Sequence, residues 1–188
     1  AEAQKWMRHP QVKEAIPLAL GDNYRGLRIV GSTPLLIEHY NSVFAQGRIW
    51  DEPFEVVVGA NVGLSLGDEF SGAHGLVGEG HAHDEKYVVV GVLKPTGRVI
   101  DRLIITSLDS VLEIHGHKPV SGHHHEHADH GHSHHDHDGD HNKEAEITAV
   151  LLKLKSPLAA MNLPPMINRT SVLQAANPAL EMARLSSM

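Results

Sequence analysis

An α+β fold, an α/β lobe interrupted by a block of strands, is predicted by three features of this 188-residue sequence. Helix signals gather toward the two ends of the chain. Runs rich in β-branched residues and bounded by Gly or Pro fill the middle. One histidine-rich stretch around residue 130 has too few apolar side chains to join either.

The elements follow in order. Residues 1–9 read as a short helix ending near His9-Pro10, and Val12–Leu20 as an extended stretch. Gly21-Asp22-Asn23 is a turn signal, and Leu27–Val30 a short strand ending at Gly31. Thr33 before Pro34 predicts an N-cap and first helical position, with Leu36, Tyr40, Val43 and Phe44 on one stripe and Gly47 as the stop. Strands are predicted at Phe54–Val58, Asp68–Ser71, Tyr87–Leu93 and Val99–Thr106, with a Gly-rich connection over 72–84. Ser107–His115 reads as a helix with Leu108, Val111 and Leu112 inward. Residues 116–142 are low-complexity His, Asp, Gly and Ser; they bury too little to offset chain entropy, which predicts a disordered loop. Ile147–Lys155 reads as a strand and Ser156-Pro157 opens a helix that Pro164-Pro165 should interrupt. Asn177-Pro178 opens a last helix.

Composition narrows the function. The net charge is −7, but residues 121–142 hold five acids and no Lys or Arg, so the rest balances 16 basic against 18 acidic residues. A near-neutral body with an acidic loop lacks the clustered cations that nucleic-acid binding needs. There is no cysteine, which excludes disulfides and thiolate metal sites. No apolar run approaches the ~20 residues that span a bilayer. The chain starts at Ala1 with no visible signal peptide and reads as an excised or processed piece.

Histidine is the outlier: of 17 in all, twelve lie between His115 and His141. Neutral imidazole and carboxylate are ligands for Zn²⁺ and its neighbours. The candidate ligands are His123, His124, His125, His127, His130, His132, His134, His135, His137 and His141, with Asp136 and Asp138. A flexible chain with a donor at nearly every second position predicts several overlapping, exchangeable sites rather than one rigid cage. Zn²⁺ is the expected metal, although intrinsic affinity would also favour Cu²⁺ or Ni²⁺. The plain alternative is a solvated spacer that binds metal incidentally. Mild acid would charge the same imidazoles, so the loop is also a pH-sensor candidate. His81 and His83, with His74 nearby, form a smaller candidate site if that segment is extended; otherwise they sit in a polar loop. His9 and His39 are isolated.

Enzyme motifs fail. Gly63-Leu64-Ser65-Leu66-Gly67 matches G-x-S-x-G, but a strand is predicted after it where a nucleophile elbow needs a helix. His125-Glu126 starts like H-E-x-x-H, but Asp129 stands at the fifth position. Gly78-x-Gly80 lacks the rest of a dinucleotide fingerprint, and no Walker A lysine motif is present. The expectation is a protein that is not an enzyme in its own right.

Several segments together resemble the periplasmic domain of MacB/FtsX-type ABC transporter permeases. They are VKEAIP at Val12–Pro17, LRIVGSTP at Leu27–Pro34, Gln46-Gly47-Arg48 and LGDEF at Leu66–Phe70. YVVVGVL at Tyr87–Leu93 is the most specific, followed by PTGRVIDRLIIT at Pro95–Thr106 and ITAVLLKLKSP at Ile147–Pro157. The resemblance implies an α/β, Porter-like lobe from residues 1–50 and 143–188 and an inserted β-rich, Sabre-like lobe from 51–115, with 116–142 as the His-rich loop. It implies the periplasmic domain of an inner-membrane protein whose two ends return to the membrane. It also implies a homodimeric permease, a cytoplasmic ATPase that drives it, and a periplasmic adaptor or lipoprotein as a further partner. Motion would be transmitted, with no substrate passing through a membrane pore. The alternative is a free-standing periplasmic zinc-binding or buffering protein.

Overall fold

The computed structural model describes residues 2–73, 82–115 and 147–187. Helix α1 (Glu2–Met7) leads into a 13-residue strand, β1 (Val12–Tyr24), which runs through the whole architecture. Its first half pairs antiparallel with β8 (Ala149–Leu154), with Leu18 opposite Ala149 and Ile16 opposite Leu151. Its second half pairs with β2 (Leu27–Ser32). The expected turn at Gly21-Asp22-Asn23 is instead a register shift between Leu20 and Asn23 inside one continuous strand. Gly and Asx residues favour bulges as well as turns, and pairing on both halves holds this segment extended.

The remaining strands are β3 (Phe44–Gly47), β4 (Glu55–Val58), β5 (Glu69–Ala73), β6 (Ala82–Leu93) and β7 (Ile104–Ser107). The strand order is β2-β7-β4-β6-β5-β1-β8, with β3 on β6. Asn23 opposite Ala73 brings β5 to β1, and β1 pairs β2, so the sheet closes on itself around β1. β2 and β7 are parallel, as are β4 and β6. Residues 27–32 therefore join the strand block directly through β7.

Burial explains the composition. Val56, Val57 and Val58 of β4 are all at 0% exposure. Their side chains alternate between two clusters, Val56 and Val58 with Ile29, Tyr87 and Ile104, and Val57 with Val30, Leu36 and Ile105. A strand covered on both faces reads as an unbroken aliphatic run. A third cluster, Trp6, Val12, Leu163 and Ile167, packs α1 and α4 (Pro157–Thr170) against β1 and β8. Helix α3 (Leu108–His115) lies across β1 and β2, where its Val111 fills the space left by Gly21 and Gly31.

Four local expectations are corrected. The helix after Pro34 is short, α2 (Leu35–His39), without a Thr33 side-chain cap, and Asn41 takes a positive φ. Val43 is exposed and Phe44 begins β3, because Leu93 of β6 offers a strand partner that helix propensity cannot foresee. Val99–Arg102 is a 3₁₀ turn rather than strand, and β7 starts only at Ile104. The connection over 72–84 is shorter than expected, since β5 reaches Ala73 and β6 starts at Ala82. Finally, α4 continues through Pro164 and Pro165. Pro164 cannot donate to the Ala160 carbonyl, which accepts from Asn177 Nδ2 at 3.3 Å instead. Buried Leu163 and Ile167 hold the helix face in place on either side. The helix α5 (Pro178–Ser186) is capped by Asn177 as expected and has no buried residue.

Candidate functional site

Every ligand candidate from His123 to His141, Asp136 and Asp138 included, lies outside the described residues, as do His74 and His81. His83 falls in β6. Among the described residues, no group of three or more His, Asp or Glu could hold a metal. His39 is exposed and edge-on to Tyr40, with ring centroids 5.1 Å apart, and the His9 Nδ1 accepts the Gln11 amide at 3.3 Å.

The fold nevertheless determines where the histidine segments attach. Residues 116–146 leave from α3, which contacts β1 at Gly21 through Val111. They re-enter just before Thr148, whose amide donates to the Leu18 carbonyl at 2.8 Å and whose hydroxyl accepts from Leu20 N–H at 3.1 Å. Residues 74–81 leave from Ala73 and return at Ala82, which oppose each other, and Ala73 also opposes Asn23. Both histidine-bearing connections are thus rooted around Leu20–Asn23, where β1 passes from β8 to β2. Asp22 and Asn23 are buried there, and a Cβ on Gly72 would stand 3.0 Å from the Asp22 carboxylate. Sequence reading took these residues for a turn; their polarity was visible, their burial was not.

Two carboxylates brace the strand block. Glu55 accepts from Arg48 Nη2 at 2.6 Å and Nη1 at 2.8 Å, and from the Asp51 amide at 2.7 Å. The Arg48 bonds, against the opposing effect of partial burial, and the Asp51 and Glu52 amides lower its carboxyl to about 2. Burial on its own would raise the Asp101 carboxyl. The Thr96 hydroxyl and amide at 2.8–3.0 Å and the Gly97 amide at 2.7 Å outweigh it and hold Asp101 below its ordinary value. These amides gather around the turn that replaces the predicted strand start. The Ser65 amide donates to Asp68 at 2.8 Å and β5 follows, so no helix is placed as an elbow would need.

The Glu55 bracket has a pH signature. Its folded carboxyl lies below the ordinary 4.5, so its stabilisation is complete above about 4.5 and is lost as pH falls toward about 2. Glu55→Gln is expected to cost about 1–2 kcal/mol at neutral pH, the half-exposed Arg48 screening the pair, and almost nothing near pH 2. Urea unfolding of both proteins across that range checks it, and an equal cost at both ends would refute the assignment.

No family model matches the sequence, and no curated protein matches it. Solved structures do. The periplasmic region of MacB from Actinobacillus actinomycetemcomitans superposes with a TM-score of 0.52 at 11% identity, over 89% of this chain and 72% of that one. The chain has the fold of a MacB periplasmic region. The extracellular domain of the ABC-type transporter YknZ from Gram-positive bacteria also matches, with a TM-score of 0.49 at 10% identity, over 87% of this chain and 76% of the other. In the MacB-like fold seen here, α1 and the run into α5 join one cluster: Leu173 and Ala175 pack against the group of Trp6, Val12, Leu163 and Ile167 beside β8. No helix among the described residues is long and apolar enough to cross a membrane.

Proposed function

We propose that this chain is the extracytoplasmic domain of an ABC transporter permease of the MacB/FtsX type, held at an inner membrane and moved by a cytoplasmic ATPase. The observation that carries the reading is the MacB-like fold, together with the gathering of the first helix and the run into the last beside β8. The part built from α1, the first half of β1, β8 and α4 would receive motion from the membrane. β1 would pass it on, because one strand pairs with β8 at one end and with β2 and β5 at the other. A strand paired along its whole length would carry a displacement at its start to the strands paired with its end. A homodimeric permease and a periplasmic adaptor or lipoprotein belong to the same reading.

The His-rich segment adds a metal-responsive appendage rooted on that strand. It would take up Zn²⁺ or a similar divalent ion, with the proton as competitor. A site shared with His81 and His83 is favoured by the common root at Leu20–Asn23.

The transmission reading is tested in the full-length gene product in membranes. Spin labels at Met161 on α4 and Val99 beyond β6, both exposed, report the distance between α4 and the strand block. Addition of ATP and vanadate is expected to shift that distance by several Å. An unchanged distribution, or a gene product that co-purifies with no ATPase, would remove the permease reading in favour of a free-standing zinc-binding protein.

A further inference from the structure

The outer edge of β8 is open among the described residues, since β8 pairs with β1 alone. Its hydrogen-bonding groups can be assigned from Pro17. Pro17 opposes Val150, has no N–H, and has its carbonyl taken by the Ser32 hydroxyl at 2.8 Å. Both its backbone groups therefore point away from β8, so Pro17 and Val150 form a pair without mutual hydrogen bonds. The N–H and C=O of Val150, and with period two those of Leu152, turn to the open edge.

A groove of ≈ 920 Å³ runs along that edge and wraps around it, with Trp6 and Leu163 on one face and Ile16 and His39 on the other. The two faces differ. Leu152 and Leu154 pack with Trp6 and Leu163, whereas Lys153 and Lys155 alternate with them and share the His39 side. Lys153 Nζ lies 3.7 Å from Glu14, and among the described residues no Asp or Glu lines the groove.

We propose that this edge binds an extended peptide segment by strand addition, one whose apolar side chains alternate with carboxylates. Main-chain bonds to Val150 and Leu152 would supply affinity. The Trp6–Leu163 face would take the apolar residues, and Lys153 and Lys155 the acids. The inference is independent of the permease reading and names the chemistry of a segment that the domain would hold.

The test uses the full chain and a fluorescein-labelled hexapeptide of alternating valine and glutamate. Saturable binding with a Kd on the order of 10–100 μM is expected, weakened roughly tenfold when lysine replaces glutamate. Two further peptides carry N-methyl groups on alternate residues, one on each edge. Methylation on one edge should weaken binding on the order of tenfold and on the other leave it nearly intact, because only one edge faces β8. Equal loss from both, equal binding of the lysine peptide, or no saturable binding would overturn the proposal. So would a dimer that Leu152→Pro dissociates while the peptide fails to bind, which would assign the edge to a second copy of this chain.

Discussion

Deleting residues 122–141 is expected to remove most of the Zn²⁺ that the chain binds, with more than one equivalent bound before deletion and a cooperative unfolding transition retained after it. The deletion takes away ten histidines, from His123 to His141, together with Asp136 and Asp138. The bonds that hold the neighbouring elements lie elsewhere. Val111 stays against Gly21 and Gly31, and Thr148 stays on Leu18 and Leu20. Isothermal titration gives the stoichiometry and thermal unfolding the cooperativity. Lowering the pH through ~6 should weaken binding in the undeleted chain, because imidazoles with an ordinary pKa of ~6.5 then hold protons in place of metal. Unchanged stoichiometry after deletion would move the metal to His74, His81 and His83.

Gly91→Val is expected to cost about 3 kcal/mol or more, or to prevent folding. Gly91 lies near the end of β6, paired on both sides, opposite Gly47 of β3 and Val57 of β4. A Cβ there would overlap the Arg48 carbonyl and stand 2.8 Å from Phe44 Cε1. The obstacle on one side is backbone, which cannot rotate away, so β3 would have to leave β6. Gly47 meets the same crowding from the other strand and also has a φ of +75°. Gly97→Ala serves as the control. It too has a positive φ, but a Cβ there would have nothing within 4 Å, so only the backbone strain of ~1 kcal/mol should appear. Chemical denaturation of the three proteins separates the effects, and a Gly91 variant no weaker than the Gly97 variant would refute the close-approach account. The same crowding gives a physical reason for the glycine in YVVVGVL, the segment that most resembles the transporter family.

What could be read from the sequence depended on how far each feature reaches. Ser156 and Asn177 cap their helices through the Ala159 and Ala179 amides, each at 3.1 Å, and both signals lie within three residues. The aliphatic runs of β4 and β6 announced buried strands in the same local way. The stripe from Leu36 to Phe44 misled because Leu36 and Ile37 are buried in a short helix while Phe44 answers to Leu93, far along the chain. Pro164 and Pro165 read as a break, since the sequence does not reveal that Asn177 supplies the donor missing at Ala160.

The sequence by itself determined the mixed α+β character, the aliphatic strands, the capped C-terminal helices and the chemistry available to the histidine segment, because composition and nearest-neighbour rules suffice for each. Only the tertiary structure decided that β1 is one continuous strand pairing β8 with one half and β2 and β5 with the other, that both histidine-bearing connections root at Leu20–Asn23, and that β8 leaves an edge between an apolar face and two lysines. Those three depend on partners brought together by backbone hydrogen bonds between distant residues, such as Leu18 with Ala149 and Asn23 with Ala73, whose energies no local window of sequence contains.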